Sequence, residues 1–491
     1  MTTVDAGREI VSRDPRDGRE LGRYAVHSAA EVTAAVESAR EAARRWSGIG
    51  FAARREHLDT WRRLMLRRVD ELIELISAET GKTRADAQLE VILMVDHLRW
   101  AAAHAEKVLR RRRVGPGLLM FNHSAMVDHH PLGVVGVIGP WIYPVFIPIG
   151  PIAHALAAGN AVVFKPSEYA TGTGRWLSDT LAEAVPQHPV LDVVLGFGET
   201  GGALCRSGVD KVAFTGSTAT GKRVMAACAE SLTPVLLECG GKDAVIVDSD
   251  ADLEAAADAT VWGGLSNAGQ TCVGVERVYV HRAVAERFTE LVVAHAKDIR
   301  AGASPDAAIG PMTTPEQADT VAAHIRDALA RGGSALLGGP HSVRAPYVDP
   351  VVLTDVPEDS AALTQETFGP VIVINRVGSM GEAIDKANAC AYGLGAAVYS
   401  RKRGPEIARR LRTGMVSVNS VLAFAGVPGL PFGGTGASGF GRVHGPEGLL
   451  EFSRTQSVTR QRIRPLLQPL SFTRTPRTMD ILMRLVRTVY G

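Results

Sequence analysis

The chain has 491 residues, of which 46% are hydrophobic and 22% charged, a composition typical of a globular protein with two or three domains. Its 54 basic and 52 acidic residues leave a formal net charge of +2, so no overall field favours nucleic acid or an anionic membrane. The five cysteines are scattered, without a CxxC pair or a Cys/His spacing typical of zinc, which predicts free thiols, a cytoplasmic location and no metal site.

In chain order, the first predicted elements are helices. The opening twenty residues are polar, and no later stretch reaches about 18 uninterrupted apolar residues, so neither secretion nor membrane insertion is expected. From residue 29 to about residue 113, apolar residues recur at spacings of three and four, which predicts amphipathic helices. The arginine run at residues 110–113 ends this region and is interpreted as a solvated face or loop.

Short β-branched runs that end in Gly or Pro follow, at "LGVVGVIGP", "NAVVFKP", "DKVAFTG" and "TPVLLECGG". Such runs, apolar on both faces and separated by helical stretches, indicate a parallel sheet covered on both sides. A second set comes later, at "KDAVIV", "VERVYVH", "PVIVINRV", "AAVYS" and "GMVSVNS". The sequence therefore predicts two α/β halves with a boundary near residues 238–242. The stretches "AMVDHHPLG" and "SRTQSVTRQR" alternate like edge strands and predict a third, smaller element.

The stretch "FTGSTATGKR" joins a predicted strand to a helix through a glycine-rich turn. Free backbone N–H groups and the positive end of the helix dipole make such a turn suited to phosphate, although a plain tight turn has the same pattern. Gly216, Gly221 and Lys222 also imitate a nucleotide-hydrolase P-loop. That loop needs Ser or Thr at the next position for magnesium, and this chain has Arg223.

Two further pairs of residues carry chemistry. Lys165 and Glu168 follow a strand, where a carboxylate can hold a ribose diol and a lysine can reach a hydroxyl, although alone they predict a salt bridge. Cys272 and Glu238 are suited to aldehyde oxidation, in which a thiolate attacks the carbonyl and a carboxylate activates the water that hydrolyses the thioester. A core cysteine and a paired glutamate are the alternative interpretation.

The chain resembles the aldehyde dehydrogenase superfamily over nearly its whole length. The stretches "GPWIYP", "FKPSE", "FTGSTATG", "LECGGK", "GQTC" and "ETFGP" each resemble a family motif. By this resemblance Cys272 is the nucleophile and Glu238 is the general base. The resemblance assigns contacts with the cofactor to Trp141, Lys165, Ser167, Glu168, Gly216, Ser217, Gly221, Gly240, Glu366 and Phe368.

The resemblance implies an α/β fold with a Rossmann-type cofactor-binding domain, an α/β catalytic domain and a small bridging β-sheet for oligomerisation. A homodimer or homotetramer would follow. The predicted ranges are residues 1–112 and 132–239 for the cofactor-binding domain, 240–440 for the catalytic domain, 113–131 and 453–466 for the bridging strands, and 467–491 for a basic amphipathic tail.

The implied function is NAD(P)-dependent oxidation of an aldehyde to a carboxylic acid. NAD is expected rather than NADP because Glu168 would repel a 2′-phosphate, although Lys165 could pair with that group. Two positions depart from the family pattern: Cys239 replaces a leucine, and Ile142 replaces the asparagine that stabilises the oxyanion. A family member of weak activity therefore stays an alternative, as does a P-loop-type nucleotide hydrolase. The CoA-acylating branch lacks the base glutamate, which is present here as Glu238.

The substrate and the tail are less constrained. The tunnel wall is expected from "WIYPVF", "VGV" after Cys272 and "SVLAFAGVPGL", which are mostly apolar and contain no basic residue, so an apolar or aromatic aldehyde is favoured over a semialdehyde acid. The tail has four arginines and one acid, with apolar residues at helical spacing. It is interpreted as a helix that docks on the subunit or its partner, with peripheral membrane contact as the alternative.

Overall fold

The structure, a computed structural model, describes residues 4–5, 9–304, 306–464 and 469–491. The described chain forms two compact units. The larger comprises the residues up to Val108 together with Pro131–Ser453, and the smaller comprises Leu109–His130 with Arg454–Gly491. The predicted domain boundaries at residues 1, 466 and 467 lie outside the described residues.

Four helices follow a small N-terminal sheet that the sequence did not predict. The first helix begins after Ser28, whose hydroxyl accepts the N–H of Glu31 at 3.3 Å, while the Glu31 carboxylate accepts the N–H of Ser28 at 2.7 Å. This reciprocal cap satisfies two free N–H groups. The strands are Val4–Asp5, Glu9–Arg13 and Glu20–Ala25, and the helices are Ala29–Gly48, Gly50–Arg67, Val69–Thr80 and Arg84–Leu109.

A six-stranded sheet forms the core of the first predicted half. In spatial order its strands are Gly439–Phe440, Val235–Glu238, Lys211–Thr215, Val134–Ile138, Ala161–Lys165 and Leu191–Val193. The last five are parallel, so their carboxyl ends meet at one edge of the sheet. Its helices are Phe146–Ala158, Thr171–Ala184, Gly198–Arg206 and Thr218–Ala229. The strand Leu191–Val193 was not predicted. The edge strand Gly439–Phe440 lies in the range predicted for the catalytic domain, but it pairs antiparallel with Val235–Glu238 of this sheet.

A seven-stranded sheet forms the core of the second predicted half, and its first strand in the chain, Asp243–Val247, follows Val235–Glu238 of the first sheet. In spatial order its strands are Ser334–Leu337, Val351–Thr354, Val371–Val377, Val275–His281, Asp243–Val247, Ala396–Tyr399 and Ser417–Val418. All neighbouring pairs are parallel except the first. The helices around this sheet are Leu253–Leu265, Ala285–Ala296, Pro315–Ala330, Ala361–Thr364, Met380–Asn388 and Gly404–Arg410, and a later helix, Gly445–Glu451, packs against the helix Phe146–Ala158 beside the first sheet. Short 3-10 turns are Ser266–Gly269, Pro340–Ser342 and Ala423–Gly426, and short strand pairs are Val343–Arg344 with Tyr347–Val348 and Tyr392–Gly393 with Thr435–Gly436.

The smaller unit has a three-stranded sheet and a C-terminal helix. The strands are Ser453–Gln461, His123–Pro131 and Arg112–Val114 in spatial order, and the helix is Pro476–Tyr490. The arginine run is therefore not only a loop, because its last two residues begin an edge strand. Arg111 pairs with Asp128 at 2.5 and 2.9 Å. Among the described residues, no helix combines the length and the apolarity that a membrane crossing requires.

Candidate active site

The loop before Cys272 is held in an unusual backbone conformation. Asn267, Ala268 and Gly269 all have positive φ, at 52°, 55° and 70°. A Cβ at Gly269 would overlap the backbone of a neighbouring loop, so only glycine fits there. The Asn267 side chain donates to the carbonyl of Gln270 at 2.7 Å, and the Gln270 side chain donates back to the carbonyl of Asn267 at 3.1 Å. These bonds fix the loop that presents Cys272, and strain of this kind concentrates at functional sites.

The Cys272 thiol lies in a buried and acidic environment. Burial raises its pKa well above the usual value, and the nearby carboxyl groups of Glu238, Glu366 and Asp243 add to this effect. Burial also raises the pKa of Glu238 to about 7, that of Glu366 to about 8 and that of Asp243 to about 7. The thiol is therefore protonated near neutral pH, and it needs a base before it can attack a carbonyl.

Glu238 is the candidate for that base and for the activation of water. It is the last residue of the strand Val235–Glu238, at the edge of the sheet where the parallel strands end. Its side chain lines the same cavity as Cys272. A carboxyl group whose pKa is about 7 exchanges protons readily at neutral pH, which is the property a general base requires.

The cavity shared by Cys272 and Glu238 is mainly apolar. All three stretches predicted for the tunnel wall contribute to it. Its apolar lining is Leu89, Leu93, Phe146, Ile147, Trp262, Val273, Val421, Leu422, Ala423, Ala425, Phe432 and Val443. Besides Cys272 and Glu238, its polar lining is Asp86, Glu90, Tyr143, Ser266, Thr271 and His444. Of the lining residues in the described part of the chain, none is a lysine or an arginine.

A buried ion pair that the sequence did not reveal holds the loop after Trp141. The ammonium of Lys82 donates to the Glu90 carboxylate at 2.6 Å and to the carbonyl of Ile142 at 2.8 Å, and both side chains are fully buried. The other oxygen of Glu90 accepts the N–H groups of Val145 at 2.8 Å and Phe146 at 3.1 Å. The pair therefore fixes the backbone at Ile142 and the start of the next helix.

Ile142 lines a cavity together with Cys272 and offers no hydrogen-bond donor from its side chain. It is 6% exposed, and this second cavity is distinct from the apolar one. The hydroxyl of the next residue, Tyr143, shares a hydrogen bond of 2.9 Å with the Thr271 hydroxyl, and both residues line the apolar cavity beside Cys272. These two hydroxyl groups are the candidates to replace the missing amide donor.

A third cavity has the features of a dinucleotide site. Its lining includes six of the predicted cofactor contacts: Trp141, Lys165, Ser167, Glu168, Gly216 and Ser217. The Lys165 ammonium lies 3.8 Å from the Glu168 carboxylate. The Ser217 hydroxyl caps the helix Thr218–Ala229, accepting the N–H of Thr220 at 3.3 Å, so the positive end of this helix faces the cavity. A dinucleotide fits these residues, because sugar-binding and phosphate-binding groups lie together at the ends of parallel strands.

The second cavity, beside Ile142, links the dinucleotide cavity to the thiol. It is lined by Trp141, Gly216, Ser217, Gly240, Cys272, Glu366 and Phe368 among others. Glu366 accepts the N–H of Gly241 at 2.8 Å, and a Cβ at Gly240 would overlap the Glu366 carboxylate. Gly221 lines neither of these two cavities, and a Cβ there would come within 2.8 Å of the Cys239 sulfur. The other predicted cofactor contacts all line one or both of these cavities.

Glu276 and Lys242 also escaped the sequence analysis. The Glu276 carboxylate accepts the N–H of Thr367 at 2.8 Å and of Phe368 at 3.0 Å, and it pairs with the buried ammonium of Lys242. These bonds position the loop that carries Glu366 and Phe368. Lys242 ends the motif "LECGGK", but neither that motif nor the sequence around Glu276 indicates these contacts, because both residues lie about 90 residues or more from the loop.

Comparison with known proteins assigns the chain to a family. The family model described as "Aldehyde dehydrogenase family" matches residues 2–458. A Mycolicibacterium smegmatis protein, provisionally named succinate-semialdehyde dehydrogenase (NADP+), is 38% identical over 99% of this chain and 96% of its own. A 4,4'-diapolycopene aldehyde oxidase from Methylomonas sp is 37% identical over 94% of this chain and 87% of its own.

Solved structures agree with this assignment. The structure of PnpE in complex with nicotinamide adenine dinucleotide superposes with a TM-score of 0.88, at 34% identity over 94% of this chain and 96% of that one. An NAD-dependent aldehyde dehydrogenase from Sinorhizobium meliloti has the same TM-score, at 33% identity over 93% and 92% of the two chains. The chain therefore belongs to the aldehyde dehydrogenase family, whose members oxidise aldehydes with NAD or NADP.

Proposed function

We propose that the protein oxidises an apolar aldehyde to a carboxylic acid, with Cys272 as nucleophile and Glu238 as general base. The observation that carries this proposal is the position of Cys272, which lines both the apolar cavity and the cavity beside Ile142 that continues into the dinucleotide site. A group at this junction can bond to a substrate from one side while a cofactor approaches from the other. The balanced reaction consumes aldehyde, NAD(P)+ and water, and it yields acid, NAD(P)H and a proton.

The chain's own residues perform the remaining steps. Glu238 takes the proton of the Cys272 thiol, and the sulfur attacks the aldehyde carbon to give a thiohemiacetal. The Cys272 backbone N–H, with the hydroxyl of Tyr143 or Thr271, stabilises the oxyanion. A bound NAD(P)+ would supply the hydride acceptor that this oxidation needs, and the oxidised product on the Cys272 sulfur is a thioester. Glu238 releases its first proton to solvent and then takes a proton from water, which attacks the thioester. The acid leaves, and Glu238 returns this second proton to the Cys272 sulfur. The apolar wall excludes other water from this site.

We infer that NAD is preferred to NADP, with Trp141, Lys165, Ser167, Glu168, Gly216, Ser217, Gly240, Glu366 and Phe368 around the cofactor. Glu168 supports the preference because its carboxylate, 3.8 Å from the Lys165 ammonium, would accept ribose hydroxyls and repel a 2′-phosphate. Lys165 is already the partner of Glu168, and burial lowers its pKa, so it compensates poorly for a second anionic group.

The cavity wall supports an apolar substrate. A semialdehyde acid carries a carboxylate that would need a cationic partner in this buried site, and the described lining offers acids but no lysine or arginine. The two curated relatives differ on this point, since one is provisionally named for succinate semialdehyde and the other for a carotenoid aldehyde. The composition of this wall favours the second type.

A panel of aldehydes tests the function and the cofactor together. We expect NADH formation at 340 nm, with kcat/KM at least about tenfold higher for medium-chain alkanals and aromatic aldehydes than for succinate semialdehyde. We also expect a higher kcat/KM with NAD than with NADP. Failure to reduce either cofactor with any aldehyde would refute the function, and preference for the semialdehyde acid would refute the substrate class.

Restoring the family's asparagine at Ile142 should increase activity. Lys82 and Asn267 both donate to the Ile142 carbonyl, at 2.8 and 3.4 Å, so the backbone should stay in place when the side chain changes. An amide beside Cys272 would add an oxyanion donor, and we expect kcat/KM to rise at least about tenfold in Ile142→Asn. Ile142→Leu, which adds no donor, is the matched control and should show no gain. An unchanged rate in Ile142→Asn, with an efficient wild type, would show that Tyr143 or Thr271 already supplies the donor.

We also infer a homodimer or homotetramer, supported by the family and by the short exposed edge strand Arg112–Val114 of the three-stranded sheet.

The domain ranges predicted above stay a proposal, as does a cytoplasmic location, which the five free cysteines support. The tail is proposed to contact a membrane peripherally, because its helix Pro476–Tyr490 has no buried residue.

A further inference from the structure

The near-neutral charge of the whole chain hides a strong segregation of charge between its two units. The smaller unit, Leu109–His130 with Arg454–Gly491, contains twelve arginines and no lysine. Its acidic residues are Asp128 and Asp480 only. Its formal charge is therefore +10, and the rest of the chain carries −8 of the total of +2. A unit with a formal charge of +10 attracts anionic surfaces, although the net charge of the whole chain does not suggest this.

The C-terminal helix adds an apolar face to this basic unit. At about 100° per residue, Ile481, Leu482, Leu485, Val486 and Val489 fall on one side of the helix Pro476–Tyr490. On the opposite side lie Arg477, Arg484 and Arg487 with Asp480.

Most of the apolar face of this helix is exposed, and its other two residues, Leu482 and Val486, are only partly buried. No residue of the helix is buried, and Ile481, Leu485 and Val489 are 44%, 43% and 47% exposed. Just before the helix, Leu470 and Phe472 are 86% and 102% exposed. A helix that docks on its own subunit would bury such a face. An apolar face opposed by arginines is instead typical of a helix that lies in the plane of an anionic bilayer, where long arginine side chains reach the headgroups.

We propose that the C-terminal segment 470–491 docks the enzyme on an anionic bilayer and that the substrate is a long-chain aldehyde dissolved in that bilayer. The second part rests on the proposed oxidation of an apolar aldehyde. A long-chain aldehyde partitions into lipid rather than water, so an enzyme held at the interface meets it at a higher local concentration. The apolar wall around Cys272 accepts such a chain and provides no partner for a charged end.

Binding is tested first, on the full chain, by sedimentation with vesicles of neutral lipid alone or with about a third of anionic phospholipid. Binding only to the anionic vesicles is expected, since each arginine near such a surface contributes to attraction. Arg484→Gln with Arg487→Gln should weaken binding about twentyfold. The matched control, Arg63→Gln with Arg287→Gln, removes two exposed arginines of the larger unit and should bind like the wild type.

The apolar face is tested by Ile481→Gln with Leu485→Gln, which keeps the charge and should also reduce vesicle binding at least about tenfold. Equal binding of all variants, or no binding to anionic vesicles, would overturn the proposal. Loss of a dimer or tetramer in this variant, seen by light scattering without vesicles, would also overturn it, because the helix would then cover a second copy. Binding to a short nucleic acid duplex as tight as to vesicles would assign the arginines to another polyanion and equally overturn it.

Activity separates the two parts of the proposal. With anionic vesicles present, kcat/KM for a long-chain alkanal is expected to rise at least about fivefold, and that for propanal should not change. The rise should be lost in Arg484→Gln with Arg487→Gln while propanal oxidation stays at the wild-type rate. Binding without this rise would refute bilayer-borne substrate and leave the oxidation intact. Binding without oxidation of either aldehyde would instead show that the proposed function is wrong.

Discussion

Replacement of Cys272 by alanine is expected to lower kcat/KM for every aldehyde by at least about 10⁴-fold. The reason is geometric as well as chemical: Cys272 lines both the apolar cavity and the cavity that leads to the dinucleotide site. Without the sulfur no covalent adduct forms. The aldehyde carbon that gives up the hydride is then not held next to the cofactor. Steady-state rates at 340 nm, with single-turnover measurements at high enzyme concentration, give the comparison.

Cofactor binding should be nearly unchanged in the same variant. The contacts proposed for the dinucleotide come from other residues, such as Lys165, Glu168 and Ser217. Fluorescence titration with NADH measures this directly. Cys390→Ala is the matched control, since Cys390 is a free cysteine that lines neither cavity beside Cys272. Turnover that persists in Cys272→Ala, or that disappears equally in Cys390→Ala, would contradict the assignment of the nucleophile.

The sequence singles out Cys272 and Glu238 because each lies in a contiguous motif. A cysteine that follows Gly-Gln-Thr needs a fixed local backbone, and the structure shows this need in the positive φ angles of Asn267, Ala268 and Gly269. Glu238 is the last residue of a strand, so a short apolar run followed by two glycines marks it. Local backbone geometry therefore leaves a signature in the sequence at these positions.

The supporting residues left no comparable signature. Lys82 acts on the carbonyl of Ile142, which is 60 residues away, and Glu90 acts on the N–H of Val145, 55 residues away. Such contacts depend on how a helix packs against a loop, and any surface lysine or glutamate looks the same in a sequence. The pair is a buried charge pair, so removal of one partner would leave the other without compensation.

The C-terminal tail also has one feature that the sequence predicts and one that depends on packing. The helical spacing of its apolar residues predicts an amphipathic helix, and the structure has one at Pro476–Tyr490. What covers the apolar face depends on tertiary packing, which spacing does not encode. The parallel strands of the two large sheets were similarly evident as apolar runs, while their order and the edge strand Gly439–Phe440 follow from long-range pairing.

Replacement of Glu238 by glutamine should separate the two halves of the reaction. An amide cannot accept a proton from water, so hydrolysis of the thioester should slow by about 10² to 10⁴-fold. Formation of the first NADH should slow as well, because Glu238 takes the thiol proton, but by less than hydrolysis, since a thiol can also lose its proton to solvent hydroxide. Stopped-flow absorbance should therefore show a burst of about one NADH per active site before slow turnover. Glu447→Gln, at an exposed glutamate, is the control and should show no burst. If both the first formation of NADH and the later turnover stay fast in Glu238→Gln, the role of Glu238 is refuted.

The pH dependence gives an independent test of the same role. Burial raises the pKa of Glu238 to about 7, and only the deprotonated carboxylate can take a proton from water. The rate of thioester hydrolysis in the wild type should therefore rise with pH through about 7 and level off above it. In Glu238→Gln no group titrates at this position, so this rise should disappear from the slow phase. A wild-type profile that is flat between pH 6 and 8, or a rise that survives the substitution unchanged, would assign the base to another group, with Glu366 the next candidate because burial raises its pKa to about 8.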